Sequence, residues 1–84
     1  MVTSYTLARI NPLQDQEAYE AIKTFPEVKE VILTYGEYDL IIKVESGSLN
    51  ELDHFIFSKL RPIPGIAATT TLLEARPVNF VGDE

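Results

Sequence analysis

Val28-Lys29-Glu30-Val31-Ile32-Leu33-Thr34-Tyr35 and Tyr38-Asp39-Leu40-Ile41-Ile42-Lys43-Val44-Glu45 are two runs rich in β-branched and aromatic residues, joined at Gly36-Glu37. Such runs read as strands, and a two-residue link with glycine first predicts a type II′ hairpin. Next comes Ser48-Leu49-Asn50-Glu51. This S-x-x-E pattern lets a serine hydroxyl and a glutamate carboxylate satisfy the free N–H groups at a helix start. Leu49, Leu52, Phe55, Ile56 and Leu60 give that helix an apolar stripe, and Pro62 and Pro64 end it. Ile66 to Ala75 then reads as a further strand. On the N-terminal side, Val2 to Ile10 is β-rich and stops at Asn11-Pro12. Ala18, Ala21, Ile22 and Phe25 recur at i, i+3, i+4 and i+7, one face of a helix that Pro26 closes. Its start has two readings: Asn11 capping with Pro12 in the first turn, or a beginning near Asp15.

The order is therefore β-α-β-β-α-β. An internal echo agrees with it, since Ile22-Lys23-Thr24-Phe25-Pro26-Glu27-Val28 parallels Leu60-Arg61-Pro62-Ile63-Pro64-Gly65-Ile66. Two similar βαβ halves predict an α+β, ferredoxin-like fold: a four-stranded antiparallel sheet with both helices on one face. The expected domain is residues 1–75. Residues 76–84 form a tail whose Val78, Phe80 and Val81 either dock on a neighbour or fray.

With two helices on one face, the other face is open, and a solvated face should alternate cleanly between apolar and polar residues. Here both sides carry large apolar groups. Strict alternation sets Val28 and Ile32 against Val31, Leu33 and Tyr35; Leu40, Ile42 and Val44 against Ile41; and Ile66 and Leu72 against Leu73 and Ala75. Covering ~500 Å² of such surface per subunit offers on the order of 10 kcal/mol gross, which rivals the whole stability of a small domain. The sequence thus predicts a homodimer packed through its open sheet faces, a dimeric α+β barrel.

The chain has 84 residues, and a single small domain of this length has a thin core that oligomerisation commonly supplements. No cysteines and one histidine exclude disulfides, thiolate metal sites and multi-histidine clusters, so neither metal nor cofactor is expected. A net charge of -6 argues against direct nucleic-acid binding. No basic segment precedes an apolar run and no stretch suits a membrane span, so the cytoplasm is the expected compartment.

The hairpin Tyr35-Gly36-Glu37-Tyr38-Asp39-Leu40, the phrase Ser48-Leu49-x-Glu51-Leu52-x-x-Phe55, and Ile63-Pro64-Gly65-Ile66 leading to Thr69-x-Thr71-Leu72 occur here in that order. Together they resemble the effector-binding RAM domain of the Lrp/AsnC (feast/famine) transcription regulators, over Val2 to Ala75. Full regulators of that family carry a helix-turn-helix domain first, and the resemblance here begins at the first strand, as in a stand-alone form. It implies face-to-face dimers that assemble further, often into octamers (tetramers of dimers), and small effectors, usually amino acids, between dimers. It also implies co-assembly with full-length regulators. Carried onto this sequence, the matching effector positions are Gly36, Tyr38, Asp39, Thr69 and Thr71.

The residue types suit an amino acid. Gly36 exposes backbone N–H groups for a carboxylate. Asp39 pairs with an ammonium. Thr69 and Thr71 share one strand face, and Tyr38 walls the pocket. Each has a plainer role as well: Gly36 in the turn, Asp39 on local backbone, the threonines as β-formers and Tyr38 as interface packing. His54 lies opposite Leu52 and reads as a surface residue, Phe57 lies beside the core stripe, and Glu17, Glu20, Glu27 and Glu30 read as a solvated acidic face. The alternative function is a small dimeric α+β barrel enzyme of the cofactor-free monooxygenase or isomerase type, because fold alone does not exclude catalysis. An RNA-binding sheet would need basic and stacking aromatic residues where Val31, Leu33, Leu40 and Ile42 stand.

Overall fold

A computed structural model describes residues 1–75, so the expected tail lies outside the described residues. Its elements are β1 (Val2–Ile10), a 3-10 turn (Pro12–Gln14), α1 (Asp15–Lys23), β2 (Val28–Leu33), β3 (Leu40–Ser46), α2 (Leu49–Phe55), a π-helical turn (Ile56–Leu60) and β4 (Ile66–Leu73). The four strands form one antiparallel sheet in the order β2-β3-β1-β4, the ferredoxin-like arrangement.

Both readings of the first helix start hold in part. Asn11 Oδ1 accepts from Leu13 N at 3.0 Å and caps the 3-10 turn, which passes into α1 at Asp15. At α2 the capping pattern acts one residue wider than expected. Ser48 Oγ accepts from Glu51 N at 3.1 Å, while Glu51 Oε1 takes the Gly47 amide, also at 3.1 Å. The turn after Phe55 widens until Arg61 N reaches back five residues to Ile56 O at 2.9 Å.

The core lies between sheet and helices. Ala8, Leu40, Ile42 and Val44 meet Ala18, Ile22, Leu52, Phe55, Ile56 and Leu60, and the Phe25 ring packs edge-on against Phe55 at 5.4 Å. Leu49 departs from the predicted stripe and is exposed, because it opens the first turn of α2 at the sheet's margin.

Two β-bulges correct the strand-face assignments. Val28 pairs with Val44 and Glu30 with Lys43, so Lys29 is an extra residue and Val28 joins Val31 on the helix side. Ala67 is likewise extra between the pairs Ile10–Ile66 and Arg9–Ala68, which puts Ile66 on the helix side with Leu73. One inserted residue reverses everything beyond it. The open face then carries Tyr5 and Leu7 of β1, Ile41 of β3, Ile32 of β2 and Leu72 of β4. Ile32 and Leu72 are about half exposed in the single subunit.

The hairpin differs too. Strand β2 ends at Leu33 and β3 begins at Leu40, with Thr34 N donating to Asp39 O at 2.9 Å across the neck. The loop is therefore longer than the predicted two residues. Beyond that neck, Tyr38 and Asp39 also bond outside the hairpin, to β4 and β1.

Candidate functional site

Asp39 stitches the hairpin to β1. Its amide donates to Ala8 O at 2.9 Å, and its Oδ2 accepts from Ile10 N at 2.8 Å, beside the bulge that takes Ile10 out of the regular ladder. Asp39 also lines a cleft of about 350 Å³ with Thr34, Leu33, Leu40, Ile10 and Tyr19, bounded by the start of α1. Gly36 stands at the exposed loop tip with φ +119°, a conformation that L side chains rarely adopt. Tyr38 lies on the open-face side. Its hydroxyl is 3.2 Å from Thr70 Oγ1 and the Arg9 guanidinium stacks on its ring at 5.6 Å, while Arg9 also meets Glu37 at 3.5 Å.

Thr69 and Thr71 do share a face, opposite Ala8 and Thr6 on the helix side. Thr71 Oγ1 and Thr6 Oγ1 are 3.0 Å apart. Both predicted threonines line a second cleft, about 360 Å³, between β4 and the α2–π-turn segment, with Leu52, Ile56, Phe57 and Arg61. Phe57 is 60% exposed there under the Arg61 guanidinium at 5.0 Å. One subunit therefore does not bring the five predicted positions together: Asp39 belongs to one cleft and Thr69 and Thr71 to the other. Sequence reasoning passed over Thr70, the threonine that meets Tyr38. Alternation along β4 already placed it on the face opposite its neighbours.

A third cleft, about 500 Å³, opens at the far end of the sheet from the hairpin, among Glu27, Glu45, Ser46, Gly47, Glu51 and His54. Its own backbone amide is the chief influence holding the Glu27 carboxyl below the ordinary value of 4.5; burial opposes this, and Lys59, bonded to Oε2 at 3.2 Å, reinforces it. A carboxyl whose pKa is lower folded than unfolded stabilises the fold above its ordinary value, and that stabilisation disappears as pH falls through the lowered folded value. Glu27→Gln should therefore lower the urea midpoint at pH 7, by the equivalent of less than about 1 kcal/mol for so small an ion pair. The difference from the parent should shrink on acidification below pH 4.5. A gap that widened in acid would contradict the sign. Among the described residues, no group of three or more His, Asp or Glu is placed to hold a metal ion, and no helix is long and apolar enough to cross a membrane.

The family model described as the Lrp/AsnC ligand binding domain matches residues 6–78. The chain belongs to the Lrp/AsnC family. An uncharacterised HTH-type transcriptional regulator of Pyrococcus horikoshii is 36% identical over 74 residues, covering 84% of this chain and 49% of that protein. This Lrp/AsnC domain thus spans about half the length of the curated regulators it matches. Among solved structures, FFRP-DM1 superposes with a TM-score of 0.84 at 43% identity, covering 88% of this chain and 99% of that one. AsnC of E. coli gives 0.86 at 26% identity, over 95% of this chain and 54% of its own.

Proposed function

We propose that this Lrp/AsnC domain is a non-catalytic effector-binding and assembly module. It packs through its open sheet face into homodimers and higher rings, holds an amino acid between subunits, and acts on transcription by assembling with full-length regulators. The observation that carries this reading is the division of the site. Asp39 and the Thr69–Thr71 pair line separate clefts of one subunit, so a ligand touching both must lie where one subunit's hairpin meets another's β4. Such a ligand favours the assembled state by its differential affinity. A Neisseria meningitidis regulator of the same fold, 17% identical, forms a complex with L-Met. A homocitrate synthase of Sulfurisphaera tokodaii carries a 38% identical match over 52 residues, 11% of its length. That match supports a portable sensing unit that is not tied to DNA binding.

The test is a thermal-shift panel of the twenty amino acids, read together with light scattering. At a hundred times its dissociation constant a ligand adds about 2.7 kcal/mol, and for a domain this small that is roughly ten degrees or more. Asp39→Asn is the informative variant, since its amide oxygen still accepts from Ile10 N while the charge for an ammonium is gone. It should keep the parent melting temperature and lose the response. Silence across all twenty amino acids would remove the effector reading.

A further inference from the structure

With Ile32 and Leu72 assigned to the open sheet face, most other large exposed apolar side chains fall into two places. One is the hairpin, where Leu33 is 68% exposed and Tyr35 104%, so nothing in its own subunit covers that ring. The other is the cleft between β4 and the π turn, where Leu49, Phe57 and Leu73 are each more than half exposed. In the strand order β2-β3-β1-β4 the hairpin leaves one edge strand and the cleft follows the other. Three strand spacings, roughly 14 Å, separate those edges, so the two places do not cover each other within one subunit. Joined head to tail between copies, they generate a ring or a filament.

Their chemistry matches. A buried tyrosine needs an apolar wall for its ring and a polar partner for its hydroxyl. The cleft supplies Leu52, Ile56 and Phe57 as wall, with Asp53 and Arg61 as polar groups. The Arg61 guanidinium covers one face of Phe57 at 5.0 Å and can stack a second ring on its other side. Glu37, exposed even though it approaches Arg9 at 3.5 Å, brings a charge opposite to that of Arg61. Open space surrounds Gly36, between the two, so a neighbour can approach the tip closely.

We propose that Tyr35 of one copy inserts into the β4–π-turn cleft of a second copy, against Phe57 and Arg61. This rests on the reading that one subunit's hairpin meets another's β4, and names the protein contact that forms the junction. A two-fold dimer presents two hairpins and two clefts, so neighbouring dimers can engage twice, and linked contacts reinforce each other. An aromatic side chain buries about 150–250 Å². Two junctions, with Leu33, Leu49 and Leu73 included, approach the ~1,000 Å² of a specific interface.

The chain has no cysteine, so introduced thiols report single positions. Glu37→Cys chains are mixed with Ser58→Cys chains, whose thiol lies next to Phe57, and treated with a short bismaleimide; peptide mass spectrometry reads which thiols join. Docking raises their effective concentration, so coupling should run roughly tenfold faster or more than for Ser58→Cys mixed with Glu17→Cys, an exposed control on α1. Adding Tyr35→Ala to the Glu37→Cys chain should return the rate to that of the control. By itself Tyr35→Ala should spare the melting temperature of Leu7→Lys subunits and weaken dimer–dimer association by about thirtyfold, the loss of one aromatic anchor. Coupling no faster than the control, or an assembly mass unchanged by Tyr35→Ala, would overturn the proposal. The coupling assay uses no amino acid, so silence of the thermal-shift panel is read apart from it. Repeated in Leu7→Lys chains, which keep hairpin and cleft intact, it is also independent of the open face.

Discussion

Leu7→Lys should convert the proposed assembly to single subunits near 9.4 kDa by light scattering, at concentrations where the parent chain is expected at twice that mass or more. Leu7 sits centrally on the open face, paired across to Ile41 on β3 and Thr70 on β4, and Ile32 and Leu72 extend the apolar surface to the outer strands. In the proposed dimer a face-to-face partner would bury this surface, and a lysine ammonium there would give up its water on both copies. The penalty is several kcal/mol per ion. Since each ~1.4 kcal/mol is a tenfold change, the dimer constant should weaken by about a thousandfold or more. The folded subunit itself should tolerate the change, because the core lies on the other side of the sheet. Far-UV circular dichroism should be preserved, while the melting temperature drops and loses its dependence on protein concentration. A parent chain that runs as a monomer at tens of micromolar would remove the premise.

That expectation rests on a part of the fold that the residues alone identified correctly, namely apolar side chains on both faces of the sheet. The element order was legible for the same kind of reason. The i, i+3, i+4, i+7 spacing of α1 and the S-x-x-E start of α2 are local signals that the tertiary structure keeps. The face of each side chain was less legible. Alternation assumes an unbroken period of two, and neither Lys29 nor Ala67 is a residue type that announces a bulge. The hairpin misled for a related reason: Gly36 has the positive φ of a tight turn, yet Asp39 is held by Ile10 N, about thirty positions away in the chain. No window of sequence contains that contact. The far-end cleft was equally invisible, since Glu27 reads locally as part of a solvated acidic face, while its contacts run to Lys59 and, through its carbonyl, to Glu45 on β3.

Phe55→Ala should be the most damaging single substitution in the core, and Phe57→Ala, two positions on, close to harmless. Phe55 is 1% exposed, meets Phe25 edge-on at 5.4 Å, and lies where α2 gives way to the π turn over the sheet. Truncating a buried phenylalanine costs about 3–5 kcal/mol through lost transfer free energy and the cavity left behind. A domain of this size has on the order of 4–13 kcal/mol in total, so the variant gives up roughly a quarter of its stability or more. At about 4–8 °C per kcal/mol, the melting temperature should fall by roughly 12–40 °C. Phe57 is 60% exposed under the Arg61 guanidinium, so its truncation should stay within about 1 kcal/mol. The pair separates folding from assembly as well. If Phe57→Ala spares the melting curve of Leu7→Lys subunits but lowers the mass of the parent assembly, the Phe57 face is a contact between dimers. Comparable losses for both phenylalanines in isolated subunits would mean that the π turn packs more deeply than its exposure indicates.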